Sequence, residues 1–209
     1  MAFGASNPAA YAETVYIEFL QPDFIELLEG IYWQTHFAVL GPDVFHAATG
    51  GHQSPIDTRL RTIEEAKATI KKNKIALRFL DILNPFLNLM LSVMDENKEN
   101  ALPIDYGKQH EKVVLSGACL IFSKEFLSYC ENAFYPETDF FYEEYILAYQ
   151  CELLGLKMVY DPVIRVRHES GAAIKQSYKD KKQKIKFILS NTMKGCQTYL
   201  NFINAYKRV

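Results

Sequence analysis

The sequence predicts an α/β fold: a mixed sheet flanked by helices, with a long C-terminal helix. Three observations carry that expectation. Apolar runs of strand length alternate with stretches of helical spacing along the whole chain. Helix-start and helix-stop signals bracket those stretches. The 209 residues are 49% hydrophobic and 13% aromatic, which is enough apolar mass for a sizeable core and too much for a disordered chain.

Taken in order, Pro22 followed by DFIELLEGIYWQ predicts a helix with proline in its first turn and acids near its start. FAVLG (37–41) predicts a short buried strand, stopped by Gly41-Pro42. HAATGGHQSPID (46–57) has the composition of a loop. Thr62 with Glu65 three residues on is a capping-box signature for a helix running to about Lys74, with further helix to Met94 interrupted before Pro85. The polar stretch 95–112 reads as an exposed loop. VVLSGACLIF (113–122) predicts a strand with a central glycine, and Ser123 caps a short helix. FFYEEYILAYQCELLG (140–155) predicts a helix ended by Gly155, followed by strands at 156–162 and 163–168. A long helix is expected from about Ser177 to the end.

The net charge of −2 conceals a gradient. Residues 1–58 carry seven acids and no Lys or Arg, whereas residues 175–209 carry nine basic residues and one acid. The balance excludes a polyanion binder overall, so no nucleic-acid partner is expected. A basic C-terminal helix suited to an anionic membrane surface, or simply packed with a solvated basic face, stays open. Cys119, Cys130, Cys151 and Cys196 have no paired short spacing, which excludes a zinc ribbon and predicts buried, reduced thiols in a cytoplasmic protein. No signal peptide is expected, because the first cationic residue is Arg59, and no membrane span, because the most apolar stretch, 75–94, is broken by charges and Pro85.

A few residues invite chemistry. Glu144, Leu147, Ala148 and Cys151 follow helical spacing, so Glu144 lies on an apolar stripe, where a partly desolvated carboxylate suits general-base work. The same pair, Glu143-Glu144, also suits a helix dipole in its first turn. His168 ends a strand and has the chemistry of a metal or phosphate ligand, as well as that of an ordinary surface histidine. His52 sits in a glycine-rich loop that permits close approach of a ligand. Gly117 marks either a bulge where substrate approaches the backbone or tight packing.

In order and spacing, PDFIELLEGIY, FAVLGPDVF, GHQSP, LSGACLIFSKEF and FFYEEYILAYQCELLGLKMVYDPVIRVRHESGA together resemble the second half of a family-2 glycosyltransferase with the GT-A (Rossmann-like) fold. The resemblance is to the bacterial branch that builds rhamnose-containing and other surface polysaccharides, and it runs from about Pro22 to Ala173. It implies that Glu144 stands at the catalytic base, with Glu143 beside it. Glu144 would deprotonate an acceptor hydroxyl that attacks the anomeric carbon with inversion. It also implies that Gly117, Ala118 and His52 line the acceptor side, and that His168 approaches the diphosphate or its metal. The implied partners are a nucleotide-sugar donor and a glycan or lipid-linked acceptor. The implied metal is Mg²⁺ or Mn²⁺, held in the family by an Asp-x-Asp motif.

The departure is at the N-terminus. MAFGASNPAAYAE resembles a remnant of the nucleotide-binding half, but no Asp-x-Asp precedes Pro22. The expected organisation is therefore residues 1–20 as that remnant, 21–175 as the acceptor-side part and 176–209 as the basic helix: an incomplete GT-A domain, weakly active or inactive alone. A sheet lacking its other half would expose Phe37, Val39 and the residues around 15–19 and so favour a homo-oligomer. The alternative from another class is a non-catalytic module that binds a partner or the inner face of the membrane.

Overall fold

A computed structural model describes residues 17–47, 49–80, 104–138, 141–168 and 180–206. The helix expected over 81–94, the remnant at 1–16 and the stretch 169–179 lie outside the described residues. The chain divides into two compact units. The first draws on Met1–Leu60, Pro103–Pro136 and Glu144–Ser170, the second on Arg61–Leu102, Glu137–Glu143 and Gly171–Val209.

The first unit is built on a mixed five-stranded sheet. Its strands are β1 (Ile17–Phe19), β2 (Val39–His46), β3 (His110–Glu111), β4 (Ile121–Phe122) and β5 (Met158–His168). The long strand β5 is central. On one side it runs parallel to β2; on the other it meets β3 near its start and β1 near its end, both antiparallel. β4 pairs antiparallel with β2 at the far edge. Helix α1 (Phe24–Thr35) lays Leu27, Leu28, Ile31 and Tyr32 over Leu40, Val44, Val159, Ile164 and Val166 of the sheet. Its last turn ends on His36 at φ 50, whose N–H closes on the Tyr32 carbonyl at 2.8 Å. The unit also holds α3 (Lys124–Tyr129), capped by the Ser123 hydroxyl as expected, and most of α4 (Glu143–Leu153).

Several expectations change here. Gly41-Pro42 does not stop β2, which continues to His46. Proline has no N–H to give a ladder, and the register breaks at that point: Pro42 pairs with Asp161 but Asp43 pairs with Arg165, so residues 162–164 bulge out of β5. The same bulge joins the two strands expected at 156–162 and 163–168 into one. Gly41 is needed for a different reason, since a Cβ there would stand 2.6 Å from a Leu115 methyl. The strand expected over 113–122 shrinks to Ile121–Phe122, with Val114 bridging Asp57. Its middle turns at Gly117 because the Ser116 and Gly117 amides bond to side chains and not to a neighbouring strand. Phe37 and Val39, expected to be exposed, are buried: Val39 is flanked by β4 and β5, and Phe37 packs edge-on against Tyr32 at 5.4 Å.

The second unit pairs two helices, α2 (Ile63–Phe79) and α5 (Lys181–Tyr206). The capping box at Thr62 and Glu65 forms in both directions, at 3.1 and 2.8 Å. Ile185 and Leu189 of α5 pack with Leu80, Ala76 and Leu77. The Tyr199 hydroxyl donates to the Arg61 carbonyl at 2.7 Å. All four cysteines are free and buried, as the spacing predicted. None of the described helices is long and apolar enough to cross a membrane.

Candidate functional site

Glu144 sits in the first turn of α4, one residue after the helix begins. The left-handed backbone of Tyr142, at φ 71, sets where that turn starts, an uncommon conformation for a bulky side chain. The apolar stripe read from the sequence forms: Leu147, Ala148 and Cys151 are buried. Glu144 stands at its edge, partly buried, with Oε1 accepting from the Gly117 N–H at 3.4 Å. Removal from water raises its carboxyl above the ordinary value of 4.5, against the opposing pull of the amides of Glu144 itself and Gly117. Gly117 is exposed, and a Cβ there would meet Glu144 Oε1 at 3.3 Å and Phe134 at 3.4 Å. The absent side chain thus leaves the carboxylate and a backbone amide side by side.

The loop at 49–57 ties this carboxylate to the ends of β2 and β5. Ser54 Oγ accepts from the Ser116 N–H at 3.3 Å, next to Gly117. Gln53 Oε1 meets His168 Nδ1 at 2.9 Å. On α4, the Tyr145 hydroxyl donates to Asp57 Oδ2 at 3.0 Å. His168, Gln53-Ser54, Ser116-Gly117 and Glu144 therefore form one continuous track. Its links are side-chain to side-chain at one end and side-chain to backbone elsewhere.

His52, on the same loop, has another environment. Its Nδ1 lies 2.6 Å from Asp43 Oδ1, and its ring stacks on Tyr106 at 4.2 Å. Asp43 is 3% exposed and also pairs with Arg165 at 3.4 Å. A buried carboxylate thus fixes the His52 ring through Nδ1 and leaves Nε2 outside that pair. Ala118 packs partly into the sheet core, and its N–H bonds to Ser116 Oγ at 3.3 Å. Glu143 is partly buried at the first position of α4.

The sequence reading passed over Asp43, Arg165, Gln53 and Tyr106. Asp43 was hidden because Gly41-Pro42 read as the end of the strand. Extending the strand's alternation would have put an acid inside the sheet, and a buried acid needs a partner. Among the described residues, Gln53 Nε2 is a buried donor with no partner.

The fit of a divalent metal is poor among these residues. His168 engages Nδ1 with Gln53, which leaves one imidazole nitrogen. A hard cation such as Mg²⁺ takes oxygen ligands in a near-octahedral shell. Among the described residues no group of three His, Cys, Asp or Glu side chains is arranged to hold a metal ion.

Burial, followed by the nearby charge of His46, lowers the His168 basicity below 6.5. The unfolded chain then binds the proton more readily, so stability falls as pH drops through 6.5 and levels off below the folded-state value. His168→Gln is expected to flatten this part of the profile when urea midpoints are compared from about pH 5 to 8. An unchanged acid slope in the variant would assign it to other groups.

The fold and the track define an α/β protein with a partly buried carboxylate set against a backbone amide. Compared with protein-family models, with curated proteins and with solved structures, the chain matches none.

Proposed function

We propose that this chain carries the acceptor side of an inverting sugar transferase of the family-2, GT-A type, with Glu144 as the catalytic base and a glycan or lipid-linked hydroxyl as acceptor. The observation that supports it most is Glu144 itself: a carboxylate at a helix start, made more basic by burial, hydrogen-bonded to the N–H of an exposed glycine. Once ionised, Glu144 accepts the acceptor hydroxyl proton. The freed oxygen pair forms the bond to the anomeric carbon, and the diphosphate departs from the opposite face with its bonding pair. Gly117 and His52 would contact the acceptor, and Ala118 would support the Gly117 turn from the core side. Glu143 would hold the first turn of α4. His168, whose Nδ1–H is taken by Gln53 Oε1, would donate from Nε2 to the donor diphosphate only in its protonated form.

Residues 1–21 contain no Asp-x-Asp to hold a metal on a sugar diphosphate. Calorimetry of the chain with UDP- and dTDP-sugars, with and without Mn²⁺, is expected to show no binding at millimolar concentration. Fusion to a nucleotide-binding half is expected to produce transfer to a lipid-linked or glycan acceptor with inverted configuration. Micromolar donor affinity of the chain alone would overturn the first expectation. Retained configuration in the product would overturn the mechanism.

A further inference from the structure

The second unit carries a surface that the Glu144 track does not use. Charge is segregated between the units. The described residues of the second hold eleven Lys and Arg against five Asp and Glu, while those of the first hold seven against thirteen. Five of the second unit's cations stand on α2 and five on α5. On α2, Ala66 and Asn73 are buried, and Ala76 and Leu77 on the same side pack on Leu80, Ile185 and Leu189. At 100° per residue the opposite side carries Lys74, Lys67, Arg78 and Lys71, then Ile75, Ala68 and Phe79, then Lys72. All of these are exposed, Ile75 and Phe79 by 48% each. The only acid on that arc is Glu64, in the first turn.

Scattered exposed apolar residues are ordinary on a protein surface. Here two large ones, one turn apart, lie between cations on both sides, which is the layout of a helix resting in a headgroup layer. A second copy of the chain is a poor occupant, because a self-complementary contact through this face would bring lysines against lysines. A nucleic acid would satisfy the cations through its phosphates, but its backbone offers Ile75 and Phe79 no apolar phase. An anionic bilayer satisfies both sets of groups.

We propose that the outer face of α2 docks on an anionic lipid surface, with Ile75 and Phe79 entering the headgroup–acyl boundary and Lys67, Lys71, Lys72, Lys74 and Arg78 meeting lipid phosphates. The proposal stands on the second unit alone and does not depend on sugar transfer.

The test is co-sedimentation of the full chain with vesicles of phosphatidylcholine and phosphatidylglycerol in equal parts, and with phosphatidylcholine alone. Binding is expected to the mixed vesicles only and is expected to be released at about 0.5 M salt, where screening shortens to a few ångströms. Lys71→Glu/Lys72→Glu should lower partitioning by more than about tenfold, given roughly fivefold per cation near the surface. Ile75→Ser/Phe79→Ser should lower it by about tenfold through lost insertion. These positions are exposed, and circular dichroism should show unchanged helix. Failure to sediment with mixed vesicles, or equal sedimentation of the Ile75→Ser/Phe79→Ser variant, overturns the proposal. So does heparin binding that survives Ile75→Ser/Phe79→Ser without vesicle binding, which would assign the face to soluble polyanions. A concentration-dependent dimer abolished by the same variant would assign it to a second copy.

Discussion

Glu144→Gln is expected to lower kcat for sugar transfer by about 10²–10⁴ in a chimera with a complete nucleotide-binding half, while donor affinity stays nearly constant. Glutamine keeps the size of the side chain and can still accept from the Gly117 N–H, so the turn at Gly117 is preserved. What it loses is the ability to take a proton. The wild-type rate should rise with pH as Glu144 ionises, on a limb displaced above 4.5 by burial, and that limb should vanish in the variant. Stability supplies an independent readout. A carboxyl whose folded-state pKa is raised costs stability as pH climbs from 4.5 through the raised value, because the unfolded chain loses that proton first. The Gln variant should therefore be at least as stable as wild type at neutral pH. If Glu144 merely complemented the helix dipole, the change would cost a few tenths to about 1 kcal/mol and leave turnover intact. Glu143→Gln should cost less turnover than Glu144→Gln. Equal turnover in the wild-type and Glu144→Gln chimeras would remove Glu144 from the catalytic role.

The Glu144 position was legible because helical spacing is a local property. Leu147, Ala148 and Cys151 had to share a face with it once α4 formed. The same locality made the Thr62–Glu65 capping box, the Ser123 cap and the alternation Ile164, Arg165, Val166, Arg167 readable in advance. Features decided by a distant neighbour were not readable. Nothing around Gly41-Pro42 announces that β5 will bulge by three residues to let β2 continue past a proline. Nothing in VVLSGACLIF announces that Ser116 and Gly117 will bond to Ser54 and Glu144 in place of a strand partner.

The site's supporting groups were lost for the same reason. Asp43 and Arg165 lie 122 residues apart in sequence and become neighbours only through the parallel register of β2 and β5. Their pairing also explains how a sheet otherwise rich in Val, Leu and Ile tolerates an acid that is 3% exposed. Truncating Asp43 would strand Arg165 and release the His52 ring, so a structural carboxylate here also governs a candidate ligand-binding side chain. The burial of Phe37 and Val39 corrects the expectation of a raw sheet edge at those positions. Two short strands, β3 and β1, together cover one side of β5, and β4 covers β2 at Val39 and Leu40.

Gly195→Ala is expected to destabilise the protein by about 2 kcal/mol or more, although alanine is the better helix former. Gly195 lies inside α5, where intrinsic propensity alone would favour the change by roughly 1 kcal/mol. The site has no room for it. A Cβ built at Gly195 overlaps the carbonyl oxygen of Phe141 and sits 3.3 Å from Tyr142 Cβ. The blocking atoms are backbone, so no rotamer change relieves the clash, and overpacking that moves the main chain costs roughly 1–3 kcal/mol, occasionally more. The close approach of α5 to residues 141–142 also seats the Tyr142 ring 5.6 Å from that of Tyr199. Pushing the helix away would loosen both, and Tyr199 is fully buried. Gly30 provides the internal control. It lies inside α1 with nothing within 4 Å of the added Cβ, so Gly30→Ala should stabilise by roughly 0.5–1 kcal/mol. Urea denaturation of the two variants should shift the midpoint in opposite directions. A Gly195→Ala protein as stable as the Gly30→Ala protein would show that α5 does not press on residues 141–142 in solution.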